Sequence, residues 1–67
     1  AGITTTVKSR LLEDKRVAGT SISVETLNGT VMLSGFAKNA EEKSAAASIA
    51  RQVNGVRLVK NEIAIRP

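Results

Sequence analysis

The ionisable side chains are the residues of this sequence with the greatest capacity for chemistry. Ten Lys and Arg residues stand against six Asp and Glu residues, and the chain contains no His and no Cys. Without imidazole or thiol groups it can form no disulfide, no Cys/His zinc site and no catalytic pairing that requires those side chains. Any chemistry must therefore come from the carboxylates or from the basic side chains.

The carboxylates include two pairs that are adjacent in the sequence, Glu13-Asp14 and Glu41-Glu42. Successive residues of a helix do not face each other, so neither pair indicates acid–base chemistry, and metal binding would need more converging ligands. We expect Glu41 and Glu42 instead to complement the positive N-terminus of a helix. The chain is therefore interpreted as non-enzymatic, without a metal or a cofactor.

The excess of basic residues gives a net charge of +4 and a pI near 10.2. Such a surface can simply stay solvated, or it can attract anionic lipid at about 1 kcal/mol for each basic residue near the membrane. Nucleic-acid binding is the weaker alternative, because the glycines never form a G-x-x-G loop and Phe36 is the sole aromatic residue available for stacking. Four basic residues cluster around the first predicted helix: Lys8, Arg10, Lys15 and Arg16.

The length of 67 residues, with 42% hydrophobic and 24% charged residues, suits one small domain over residues 1–67 with its core at about 3–66. The apolar runs are far shorter than the roughly 20 residues that span a bilayer. The chain begins with Ala1-Gly2 rather than Met and shows no signal-peptide pattern. We therefore expect a processed or excised fragment.

The first helical pattern extends from Ile3 to Glu13. Val7 and Leu11 lie one helical turn apart, and Leu12 is expected to widen their apolar stripe. The residues Thr4–Thr6 are poor in a helix interior and are predicted to lie in its N-terminal cap region.

The second helical pattern starts after Asn39, which stands in the N-cap position with Glu42 three residues later. The helix is predicted to continue to about Asn54 and to be stopped by Gly55 in a left-handed conformation. Its apolar stripe comprises Ala46, Ile49, Ala50 and Val53.

A β-hairpin is the clearest local prediction. Residues Thr20–Leu27 and Thr30–Phe36 are rich in β-forming residues and flank Asn28-Gly29, the sequence typical of a type I′ turn. A two-residue turn sets the register, so Val24 faces Leu33 and the apolar β-branched residues collect on one face. The opposite face carries Ser21, Ser23, Glu25, Met32, Ser34 and Phe36.

A third strand is predicted from Val56 to Ile65, with Val59, Ile63 and Ile65 pointing inward and Asn61 between them. The connection through the second helix has the length of a crossover, so this strand should be parallel to the second. The predicted fold class is α+β, an αββαβ two-layer sandwich with two helices on one face of a three-stranded mixed sheet. The outward residues of this strand are Leu58, Lys60, Glu62, Ala64 and Arg66.

The ordered motifs Ile22–Gly35, Ile49-Ala50, Val53–Val56 and Val59–Ile63 resemble the BON domain family. The resemblance covers nearly the whole chain, about 3–66. It implies a bacterial periplasmic or otherwise extracytoplasmic module, similar to the domains of an osmotically inducible periplasmic protein. It also implies association with phospholipid membranes and a link to osmotic or envelope stress, with no established catalytic residues.

The residues that match the family pattern are expected to determine the fold rather than to touch lipid. Gly35 should mark a bulge or allow the second helix to approach the sheet closely. Asn61 should be buried and should bond a loop backbone near Gly55 or after the first helix. The residues assigned a structural role are Asn28, Gly29, Gly35, Asn39, Gly55 and Asn61.

Two functions remain in consideration. The favoured one is a non-catalytic envelope module that makes weak contacts with anionic phospholipid. The rival is a protein-interaction or structural module whose open sheet face docks on another domain of its parent chain. The candidate contact residues are Phe36, Met32, Leu58, Lys60 and Arg66 on the open face and Lys8, Arg10, Lys15 and Arg16 around the first helix.

Overall fold

The computed structural model describes residues 2–66, and its elements follow the order α, β, β, α, β. A single-turn 3₁₀ helix at Gly19–Ser21 precedes the first strand. The other elements are α1 (Ile3–Glu13), β1 (Ile22–Leu27), β2 (Thr30–Ala37), α2 (Ala40–Arg51) and β3 (Leu58–Ile65).

The hairpin of β1 and β2 has the predicted register, with Val24 opposite Leu33. Asn28 and Gly29 have φ values of 52° and 81°, the positive pair that a type I′ turn requires. The start of the first strand was predicted two residues too early. Ser21 lies in the 3₁₀ turn, so it does not pair with Phe36.

The sheet is mixed, in the order β1-β2-β3, with β2 antiparallel to β1 and parallel to β3. The helices pack on the sheet, α1 chiefly on β1 and α2 on β2 and β3, and they also contact each other. This arrangement confirms the predicted α+β fold class and the parallel crossover. The largest fully buried side chains are Leu11, Ile22, Leu33, Ile63, Val7 and Val31.

Helix α1 has the predicted bounds and buries Val7 and Leu11. Leu12 does not widen the buried stripe, because the next position around the helix turns away from the sheet and leaves this side chain 53% exposed. The threonines do not cap the helix either, since its N-cap is Gly2. The Thr6 hydroxyl instead donates back to the Gly2 carbonyl at 3.1 Å.

Helix α2 begins as predicted, because the Asn39 Oδ1 accepts the amide of Glu42 at 2.8 Å. Its end was predicted three residues too late, as the last helical residue is Arg51. Gly55, with φ of 95°, belongs to a following turn in which the Val56 amide donates to the Val53 carbonyl. The predicted stripe of Ala46, Ile49, Ala50 and Val53 is buried.

Strand β3 starts at Leu58 rather than at Val56. Ile63 is buried and Val59 is half-buried, as predicted, but Ile65 is 47% exposed. Ile65 is the last residue of β3, and this position at the end of the strand leaves its side chain partly open to solvent.

Asn61 connects β3 to helix α2 rather than to a loop. Its Nδ2 donates to the Lys43 carbonyl at 2.8 Å, and its Oδ1 accepts the Ile63 amide at 3.3 Å. The predicted backbone partner near Gly55 or after α1 was therefore wrong, because the amide side chain points up from the sheet to the helix that crosses it.

The substitution Asn61→Ala is expected to lower the free energy of unfolding by about 1–2 kcal/mol, because it removes both of these hydrogen bonds. The midpoint of thermal unfolding, followed by circular dichroism, should fall by about 5–10 °C in a domain of this size. Asn54→Ala is the control, since Asn54 is exposed. An unchanged midpoint for Asn61→Ala would show that the amide bridge contributes nothing.

Candidate functional site

The sheet face opposite the helices presents its side chains in rows that cross the strands. The open-face row nearest the hairpin turn is Leu27–Thr30–Leu58, followed by Glu25–Met32–Lys60, Ser23–Ser34–Glu62 and finally Phe36–Ala64.

The apolar side chains of this face lie at its two ends. Leu27 is 74% exposed and Leu58 54% exposed near the turn, whereas Phe36, 47% exposed, lies at the other end. Met32 and Phe36 are four residues apart on one strand, a separation of about 13 Å. The polar row with Glu62 lies between them, so the apolar residues predicted as contacts on the open face form two separate groups.

The end near the turn combines apolar and basic side chains. Leu27, Met32, Leu58 and Lys60 line one shallow groove, and Arg57 lines an adjoining groove that shares Leu58. We define the hairpin-end patch as Leu27, Met32, Leu58, Arg51, Arg57 and Lys60.

The fold holds this patch in place through the hairpin turn. The Arg57 amide donates to the Gly29 carbonyl at 2.8 Å, and the aliphatic part of its side chain lies against Gly29. Arg51, from the last turn of α2, lines the same groove as Arg57. Lys60 and Glu25 therefore share a groove with both exposed leucines, whereas Arg51 and Arg57 share a groove with Leu58 alone.

Sequence reasoning missed part of this patch. The hairpin register could have identified Leu27, since Leu27 and Thr30 form the pair next to the turn. Arg51 and Arg57 carried no such signal, because the sequence does not show that the end of α2 and the start of β3 lie beside the hairpin turn.

At the other end of the sheet, Phe36 and Arg66 contact each other. The Arg66 guanidinium lies over the Phe36 ring, 4.7 Å from its centroid, the geometry of a cation–π contact. The Arg66 amide also donates to the Ala37 carbonyl at 2.6 Å. Phe36 and Arg66 therefore bind each other at the end of β2.

Lys8 is engaged within the protein. Its Nζ donates to the Gly19 carbonyl at 2.6 Å and to the Ile22 carbonyl. Its ammonium group thus holds the 3₁₀ turn and the start of β1 against α1, which removes it from the basic surface predicted around that helix.

Arg16 is paired with Asp14 through its side chain at 2.9 and 3.0 Å and through its amide at 2.8 Å. These hydrogen bonds lower the pKa of Asp14 to about 2 and raise the pKa of Arg16. Lys15 and Arg10 are exposed to solvent. The four basic residues predicted to cluster here thus have three different environments.

A surface depression of about 810 Å³ lies between the 15–18 segment and the start of α2. At its edge the carboxylate of Glu42 accepts the Lys38 amide at 2.7 Å and the Ala18 amide at 2.6 Å. These two amides lower the pKa of Glu42. Each carboxylate oxygen accepts one of these amides, so Glu42 joins two loops, and its lowered pKa makes it a weaker base than an ordinary glutamate.

Within residues 2–66, the acidic side chains form no group of three that could hold a metal ion. None of the helices in this range has the length and apolar character needed to cross a membrane.

A family model described as BON domain matches residues 1–67. The chain is 40% identical over 60 residues to osmotically-inducible protein Y of Escherichia coli strain K12. It is 46% identical over 57 residues to a 21 kDa hemolysin of Actinobacillus pleuropneumoniae. These alignments cover 90% and 85% of the chain but only 30% and 29% of the relatives, so the chain spans less than a third of their length.

Among solved structures, the C-terminal domain of CdsD, described as the structural protein of the type III secretion system of Chlamydia trachomatis, is similar to this chain with a TM-score of 0.80. The match covers 97% of this chain and 32% of that one, at 21% sequence identity. At that identity the likeness concerns the fold alone.

Proposed function

This chain belongs to the BON domain family, and we propose that it is a non-catalytic module of the bacterial envelope that binds anionic phospholipid weakly through the hairpin-end patch. Its similarity to an osmotically inducible protein supports a place outside the cytoplasm and a link to osmotic stress. Neither relative's name denotes an enzyme.

The observation that carries this proposal is the pairing of exposed leucines with basic side chains. Leu27 and Leu58 are the two most exposed large apolar residues, and they lie in one cross-strand row. Lys60 lies in the groove that both leucines line, and Arg51 and Arg57 line the adjoining groove beside Leu58. Leucines can enter the headgroup region while the cations remain at its surface.

The expected affinity is modest. Three basic residues contribute about 3 kcal/mol near an anionic surface, and this contribution is screened by salt. The leucines add a shallow apolar contact. Of the residues predicted from the sequence, the proposed contact keeps Met32, Leu58 and Lys60. It leaves out Phe36, Arg66, Lys8, Arg10, Lys15 and Arg16, which lie away from this patch or are engaged in contacts within the protein.

The proposal predicts that the double variant Arg57→Gln, Lys60→Gln binds vesicles containing phosphatidylglycerol about 30-fold more weakly, as expected for the loss of about 2 kcal/mol. Co-sedimentation at low and high salt, with phosphatidylcholine vesicles for comparison, measures this. The charge-matched control Arg10→Gln, Lys15→Gln should bind like the original protein. Equal losses in both double variants would show that net charge alone matters and would contradict the assignment to this patch.

The apolar part of the patch has its own control at the other end of the sheet. Leu27→Ser with Leu58→Ser should weaken vesicle binding, whereas Phe36→Ser should not, although Phe36 is also exposed on the same face. Binding that is indifferent to lipid charge and to all of these changes would reject the lipid proposal.

The alternative function is docking of the open sheet face on another domain of the parent chain. The length of the relatives favours this alternative, since the chain matches less than a third of each of them. This chain likewise matches only 32% of its structural neighbour. Amide shifts spread over the whole open face when the full-length protein is compared with this chain would support docking.

A further inference from the structure

The outer edge of β3 is a second surface with a defined pattern. This eight-residue strand pairs with β2 on one side, and within residues 2–66 its other side pairs with no strand. An unpaired edge presents backbone N–H and C=O groups in a row that another strand can bond.

The ladder with β2 determines which residues bond outward. The Arg66 amide donates to the Ala37 carbonyl at 2.6 Å, and the Leu58 amide shares the Gly29 carbonyl, at 3.4 Å, with Arg57, which precedes the strand. Since N–H and C=O directions alternate along a strand, even-numbered residues of β3 bond toward β2 and odd-numbered residues bond away from it. The outward positions are Val59, Asn61, Ile63 and Ile65.

The side chains of β3 are complementary to a second, antiparallel copy of the same strand. When Asn61 of one copy lies opposite Asn61 of the other, Lys60 faces Glu62 on the open face. On the helix side, Val59 faces Ile63. By symmetry each of these pairs occurs twice, and opposite charges directly across strands stabilise the pairing.

Other registers are disfavoured. A shift that changes the pairing by one residue sets outward amides of one strand opposite inward amides of the other, so the ladder cannot form. The neighbouring permitted registers place Lys60 opposite Lys60 or Glu62 opposite Glu62, and like charges directly opposite are destabilising. One register among them combines an intact ladder with opposite charges.

We propose that β3 is a homotypic interaction edge, through which two copies of this chain pair antiparallel about Asn61 and join their sheets into one. The association is weak, because the contact is one strand wide and the Ile63 amide must exchange its bond to Asn61 Oδ1 for one to the second copy. The surface differs from the hairpin-end patch, although Lys60 belongs to both.

A charge-exchange experiment tests this pairing without lipid. Sedimentation velocity and amide-shift changes over a dilution series up to millimolar concentration give the dimer dissociation constant. Lys60→Glu and Glu62→Lys should each weaken the dimer about tenfold, because each creates two like-charge pairs. The double exchange Lys60→Glu, Glu62→Lys restores opposite charges and should return the constant to near its original value.

Lys38→Glu is the matched control, since it makes the same change in net charge on an exposed residue outside β3 and should leave the constant unchanged. Circular dichroism confirms that each variant is folded. A chain that stays monomeric at millimolar concentration would overturn the proposal, and so would a dimer that the double exchange fails to rescue.

Discussion

Replacement of Glu42 with Gln is expected to lower the free energy of unfolding by about 2–3 kcal/mol. The carboxylate accepts the Lys38 and Ala18 amides at 2.7 and 2.6 Å, and the residue is only 6% exposed. A glutamine keeps one acceptor oxygen but turns its NH₂ group toward the other amide. The substitution therefore loses one charge-assisted bond and leaves two donors facing each other.

The effect is large for a small domain. A chain of this length typically has a free energy of unfolding of about 3–10 kcal/mol. A loss of about 2–3 kcal/mol should lower the thermal midpoint by about 10–20 °C. Glu41→Gln is the control, because Glu41 lies in the same first turn of α2 but is exposed. Similar losses in both variants would show that the helix N-terminus, and not the link between the loops, is responsible.

The two hydrogen bonds to Glu42 also predict that the free energy of unfolding depends on pH. The Lys38 and Ala18 amides lower the pKa of Glu42 below its ordinary value of 4.5. A group with a lowered pKa in the folded state stabilises the fold fully above its unfolded pKa, and this stabilisation is lost as the pH falls through the folded pKa. The original protein should therefore lose stability below about pH 4.5, and Glu42→Gln should lose less over that range. Parallel curves would contradict this.

The substitution Gly35→Ala is expected to be still more damaging, with a loss of about 4 kcal/mol. Gly35 has φ of 117°, a conformation that residues with a Cβ rarely adopt. An added Cβ would lie 2.1 Å from the Ser21 carbonyl oxygen, and backbone cannot move aside without opening the hairpin. The glycine thus accommodates the 3₁₀ turn before β1; the sequence had predicted either a bulge or a close approach of α2, and the nearest atoms belong to Ser21 and Ile22 and not to α2.

Gly55→Ala separates backbone strain from the steric overlap. Gly55 also has a positive φ, of 95°, but its added Cβ would meet the end of the flexible Ile3 side chain at 3.0 Å. We expect a loss of about 1–2 kcal/mol there. Urea unfolding followed by circular dichroism measures both variants. If Gly35→Ala were no worse than Gly55→Ala, the contact with Ser21 would not be limiting.

Prediction from the sequence succeeded where the determining interactions are local. The Asn28-Gly29 turn sets the pairing of β1 with β2, and so it decides that Leu33 is buried and that Phe36 is exposed. Asn39 starts α2 through a bond to an amide three residues away. Such features depend on backbone conformation and on periodicity, both of which can be read along a short stretch of chain.

The sequence by itself therefore determined the element order, the hairpin register and the apolar faces of the hairpin and of α2. Only the tertiary structure decided the roles of the polar side chains that form bonds between different elements. Glu42 bonds Ala18, Lys8 bonds Gly19, and Arg51 and Arg57 come together beside the hairpin turn. These contacts join residues from different elements, and their geometry is set by how the helices pack on the sheet, which no local pattern specifies.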